Sequence, residues 1–135
     1  MGLSKPKNII NNIVDGGGLE MELLWENASP TSQFGAQTIN VDSSGYDAVF
    51  VRTKKYTTQS IVISSGFVKH GEVGYISSAH PDSTNTYVGQ REFTVNEKSI
   101  IFTVALEAKG SAKGSESNNM FVPIEIYGIK GVKTV

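Results

Sequence analysis

Cysteine is absent from the 135 residues, and with it go disulfide frameworks, thiolate zinc sites and cysteine nucleophiles. An excess of charge of one sign is missing too. Twelve Lys and Arg stand against thirteen Asp and Glu, interspersed, for a net charge of −1. A nucleic-acid footprint needs Lys and Arg gathered on one face, so that class of partner is not expected. No apolar run approaches the roughly twenty residues that cross a bilayer. The N-terminus lacks a secretory apolar region. Pro6 stands where a myristoylation signal after Gly2 needs Ser or Thr. Membrane insertion is therefore not expected either. Beyond residue 18, helical periodicity is also lacking.

What is present is alternation. A chain of this length reads as one domain, able to bury roughly two-thirds of its unfolded surface. Residues 1–18 stand apart: Ile9, Ile10, Ile13 and Val14 recur at helical spacing until Asp15 and three glycines stop them. A helix so short is marginal in water. The segment reads either as an attachment or oligomerisation element carried by that stripe, or as a disordered leader. Residues 19–135 form the body.

Period-two patterning then recurs. Met21, Leu23 and Trp25 share one face of a first strand. In YDAVFVRT, Val49 and Val51 share one face and Ala48, Phe50 and Arg52 the other. Residues 59–65 and 73–77 give two more strands, with Gly74 interrupting the second. The run SAHPDSTNT at 78–86 reads as a polar surface loop. Ile100, Phe102, Val104 and Leu106 form the clearest core stripe. AKGSAKGSESNN at 108–119 is a low-complexity loop. The closing strand FVPIEIYGIKG places Val122, Ile124 and Ile126 opposite Pro123, Glu125 and Tyr127. About eight strands at this spacing predict an all-β fold, an antiparallel β-sandwich of jelly-roll-like form.

Chemistry is sparse. His70 and His80 read as exposed loop residues, and two histidines with scattered carboxylates make no zinc spacing. No Gly-x-Ser-x-Gly elbow supports a serine nucleophile. Asp42, Asp47, Glu92 and Glu125 read as solvated or capping carboxylates rather than a glycosidase pair. Residues 82–85 offer a few oxygens to a hard cation, without regular Asp-x-Asp spacing. No metal, cofactor or catalytic set is assigned. Tyr56, Tyr75, Tyr87 and Tyr127 fall at strand ends or on polar faces. Rings beside polar donors can hold a sugar; equally, they can cap the sandwich or pack in an oligomer interface. The binding set this suggests is Tyr75, His80, Asp82, Asn85 and Tyr87, with residues 108–119 as a second loop.

Two segments carry a resemblance. LWENASPTSQFGAQTINVDSSGYDAVFVR, residues 24–52, and the closing Pro-x-x-Ile-Tyr-Gly-Ile-Lys pattern, residues 123–130, resemble the C-terminal β-domain of phage and prophage tail-fibre-like and minor structural proteins. The resemblance spans residues 24–131. It implies a virion protein, commonly a homotrimer, whose terminal domain recognises a host surface without catalysis. Trp25, Pro30, Phe34, Tyr46, Tyr127 and Gly128 match as fold-defining positions, and no binding residue is carried over. The expectation is a non-enzymatic fibre-tip protein that binds host glycans. One alternative is a head-fibre or capsid decoration protein contacting other virion subunits; a glycan-degrading enzyme is the other.

Overall fold

The computed structural model describes residues 18–81 and 83–132, and the helical stripe at Ile9, Ile10, Ile13 and Val14 lies outside them. Among the described residues nine strands follow in order: β1 (Glu20–Glu26), β2 (Gln37–Asn40), β3 (Ala48–Tyr56), β4 (Val62–Ser64), β5 (Val73–Pro81), β6 (Thr86–Val95), β7 (Ser99–Lys109), β8 (Ser115–Glu116) and β9 (Met120–Lys130). No helix occurs among the described residues. The ninth strand is the two-residue β8, inside the low-complexity run, where patterning has no room to show.

The strands make two antiparallel sheets, ordered β1-β9-β3-β4 and β2-β7-β6-β5, with β8 also on β7. Because β6 occupies one edge of β7 throughout, β2 and β8 share the other, β2 on Ser99–Phe102 and β8 on Leu106 and Glu107. The ends wrap in jelly-roll fashion: β1, β2 and β3 alternate between sheets, and the returning chain retraces them as β7 beside β2 and β9 between β1 and β3. The middle departs from that plan. β3 and β4 form a hairpin in one sheet, and β5, β6 and β7 a meander in the other.

Val49 and Val51 of one sheet meet Ile76, Phe93 and Phe102 of the other, with Met120, Phe121, Val122 and Ile126 completing the main core. Burial of these apolar side chains, at roughly 1.5–3 kcal/mol each, is the main stabilising term. Ala48, Phe50 and Arg52 take the opposite face, as alternation predicts. Ala48 is nonetheless fully buried there, because Leu19 and Ile129 cover it.

Three stripes do not hold, each at a β-bulge. An extra residue sends the following side chains to the other face. In β1 the register passes from Leu23↔Tyr127 to Trp25↔Ile126, so Leu24 and Trp25 reach the core while Leu23 is exposed. In β7, Thr103 and Val104 together oppose Glu92. Ala105 then takes the core position, and Leu106 turns outward. In β9, Ile124 is passed over between Glu125↔Arg52 and Pro123↔Thr53, and its carbonyl accepts from the Asn27 amide at 2.9 Å.

The matching motif residues have physical roles here. Phe34 is buried and Trp25 packs against the core. The Tyr46 ring lies on Gly128, where an added Cβ would sit 2.6 Å from the ring. The Tyr46 hydroxyl donates to Glu22.

Candidate functional site

The sandwich has two distinct ends. β1 begins where β9 finishes, with Glu20 opposite Lys130, so both described chain ends lie at one pole. β3 runs away from it, from Ala48 to Tyr56. The far pole is closed by the β5–β6 hairpin, whose ladder continues through His80↔Tyr87 to Pro81↔Thr86.

This hairpin revises the loop expected at 78–86. β5 runs through to Pro81, which is tolerated because β5 is the outer strand of its sheet and Pro81 its last residue. His80 is thus a half-buried strand residue, not an exposed loop one. Its ring stacks on Tyr87, centroids 5.1 Å apart and planes 13° from parallel. The Lys55 ammonium sits 3.2 Å from His80 Nδ1, bridging from the other sheet. A lysine has only donors, so Nδ1 accepts and the ring proton is placed on Nε2.

Next to this stack the Tyr56 hydroxyl donates to Glu107 at 2.5 Å. Burial, with the Glu107 carboxylate, pushes the Tyr56 phenol up to about 12. The inward row beside it contains Ser78, whose Oγ is enclosed without a hydrogen-bond partner among the described residues. The far pole therefore gathers Lys55, Tyr56, Ser78, His80, Tyr87 and Glu107 from four strands and both sheets.

Of the five residues expected to form a binding set, the structure brings together His80 and Tyr87. Asn85 belongs to the adjoining hairpin turn, where with Ser83, Thr84, Thr86 and Gly110 it lines an open polar cleft of about 500 Å³. Asp82 lies outside the described residues. Tyr75 is elsewhere: β5 turns Gly74, Ile76, Ser78 and His80 inward, and Tyr75 outward. Its hydroxyl donates to Glu92 at 2.9 Å. Lys55 and Glu107 carry no signal in the sequence, since only strand order places them beside His80 and Tyr56. His70 is also half-buried, with Nε2 2.9 Å from the Ser43 carbonyl.

The outer face of β5, β6 and β7 is a second feature. Val88, Leu106, Ala79 and Ala108, with Ser77 and Gln90, line a shallow depression of about 570 Å³. Among the described residues, no group of three His, Asp or Glu side chains is placed to hold a metal ion.

Fold and site together define an antiparallel β-sandwich with an aromatic and polar far pole. Comparison with family models, with curated proteins and with solved structures finds no match.

Proposed function

We propose that the chain is a non-enzymatic phage virion protein of the fibre-tip kind, contacting host surface glycans through its far pole. Its opening and closing segments support this by resemblance. The observation that carries the glycan contact is the His80–Tyr87 stack, held on a continuous ladder beside the Lys55 ammonium, with the polar hairpin turn of Asn85 adjoining. Flat rings next to amine, amide and hydroxyl donors are what a sugar needs, an apolar face to stack on and groups to bond its hydroxyls. A site on two paired strands is pre-organised, so little ordering opposes binding. Single-domain affinity is expected to be weak and multiplied by several copies on one particle.

The test is titration of the purified protein with glycans from the host cell wall. Tyr87→Ala should weaken binding about tenfold or more, and Tyr75→Ala should leave it unchanged. No binding by the unaltered protein would sink the adhesin reading.

The apolar outer face of β5–β7 favours a second reading, a decoration or head-fibre protein that contacts other virion subunits. Val88, Ile101 and Leu106 are exposed on it, where a solvated face usually carries charge. Under this reading, removing residues 1–18 abolishes attachment to particles and leaves the β-sheet circular dichroism intact.

A further inference from the structure

A sheet edge carries a row of unpaired amides and carbonyls that invites another strand, and proteins blunt such edges with brevity or charge. Among the described residues, three of the four edge positions are blunted. The edge shared by β2 and β8 holds strands of four and two residues, and β4 has three. β1 carries Glu20, Glu22 and Glu26. β5 has neither protection: nine residues, VGYISSAHP, with no Asp, Glu, Lys or Arg.

The open side of β5 can be specified residue by residue. The Val95 amide donates to the Glu72 carbonyl, so odd-numbered residues of β6 bond towards β5. The Asn96 amide donates to Ser99 and the Gly110 amide to Thr86, which puts even-numbered ones on β7. By antiparallel alternation, Gly74, Ile76, Ser78 and His80 pair with β6. The amides and carbonyls of Val73, Tyr75, Ser77 and Ala79 then point to the open side. Apolar side chains flank them, and the Glu92 carboxylate that accepts from Tyr75 lies on the β6 side. Val73 and Tyr75 are 50% and 53% exposed, and Ile61, Val62 and Phe67, from β4 and its flanking loops, are exposed as well. β4 lies beside β5 at the same side of the sandwich.

We propose that β5 is a self-pairing edge: two copies align their β5 strands antiparallel about a twofold axis and join their second sheets into one. Charge selects a second copy as the occupant. An uncharged strand meets itself without like-charge contact, whereas an acidic or basic strand would find no partner charge on β5. Shape agrees. Centred on Ser77, the pairing sets Tyr75 against Ala79 of the second copy and Val73 against its Pro81, large against small. The nine residues give a ladder of roughly 30 Å. A twofold contact is also self-limiting, because each β5 edge is consumed by the other. It is an alternative to the threefold assembly that the family resemblance implies, and it uses the open backbone edge of β5 rather than the His80 and Tyr87 rings.

The experiment is light scattering on the full chain over a concentration series, unaltered and as Ser77→Pro and Tyr75→Lys. Proline removes one edge amide that β6 does not use, and edge strands tolerate it. Expected are twice the 14.5 kDa of one chain for the unaltered protein and a single chain for Ser77→Pro, with an unfolding temperature within about 4 °C. Tyr75→Lys, which leaves the backbone untouched, should raise the dissociation constant by about tenfold or more. A single chain at every concentration, a trimer, or two chains retained in a folded Ser77→Pro overturns the proposal. Should Ser77→Pro fail to fold, Tyr75→Lys decides: an unchanged dissociation constant overturns it.

Discussion

Arg91 donates its Nε to the carbonyl of Phe121 at 2.9 Å, and Phe121 is the described non-glycine residue with positive φ, at 47°. Both side chains are fully buried. A left-handed phenylalanine costs about 1–3 kcal/mol, so something must hold it. The guanidinium does so while also donating to the carbonyls of Thr103 at 2.7 Å, Phe34 at 2.8 Å and Met120 at 3.0 Å. The Phe34 ring lies 5.2 Å from its central carbon. The ion pairs among the described residues, Arg52–Glu125 and Lys98–Asp42, are elsewhere. A buried cation is thus held by backbone dipoles and one ring. Burial lowers its pKa to about 10, far enough above neutrality for the charge to remain.

Arg91→Met should accordingly lose about 3–5 kcal/mol, because it strands buried carbonyls on both sheets. Arg91→Lys should recover less than half of that loss, since one ammonium cannot span carbonyls on β7, β9 and the Phe34 loop. Urea unfolding midpoints measure both. A loss under about 1 kcal/mol for Met would show that the carbonyls find other partners.

Gly128 and Tyr46 should behave as a unit. Gly128→Ala alone should cost about 2 kcal/mol, because the new Cβ must displace the ring. In a Tyr46→Ala background the same change should cost less than half as much. A thermal double-mutant cycle reads the coupling, expected at about 1 kcal/mol or more. Additive losses would mean that the close approach is not what keeps glycine there.

Tyr56 makes alkaline stability directional. Its folded pKa, about 12, is above the ordinary value of 10.0. Between those values the unfolded chain releases a proton that the folded chain keeps, so this group's stabilisation is full below pH 10 and lost as pH rises towards 12. Tyr56→Phe should flatten the fall in stability over that window and remove the highest step of the phenolate absorbance titration. An unchanged titration curve would show that Tyr56 is not the group ionising last.

The β7 bulge predicts an inverted pair. Leu106, more hydrophobic, should accept Gln within about 0.5–1 kcal/mol because it faces outward. Ala105, smaller and fully buried, should lose about 1–3 kcal/mol on change to Leu. The reverse order of costs would restore the simple alternating stripe.

That pair shows what the sequence makes legible and what it hides. Val49 and Val51 alternate without interruption, and their core placement follows from period two alone. Leu23, Ile124 and Leu106 depart from their alternating stripes for one reason. A bulge is a property of two strands in register, and no single strand records its partner's count. The far pole divides the same way. His80 and Tyr87 can be named from residue type and from their place in and beside one polar run, whereas Lys55 and Glu107 reach them only through strand order. Arg91 gives no sign of its burial, because an arginine in REFTV reads as the polar position of a strand. Edge protection is legible once strand order is known, and the lack of charge in 73–81 then acquires meaning.

The meeting of β1 and β9 at one pole also decides how the protein bears force. Glu20 faces Lys130, and Gly131 lies directly against Gly18. Tension between the two ends would therefore part these strands like a zip, one rung at a time. Tension between an end and the β5–β6 hairpin instead loads whole ladders in shear, with every rung of β3 against β9 resisting together. Any load applied between either described end and the hairpin therefore runs along the stronger direction.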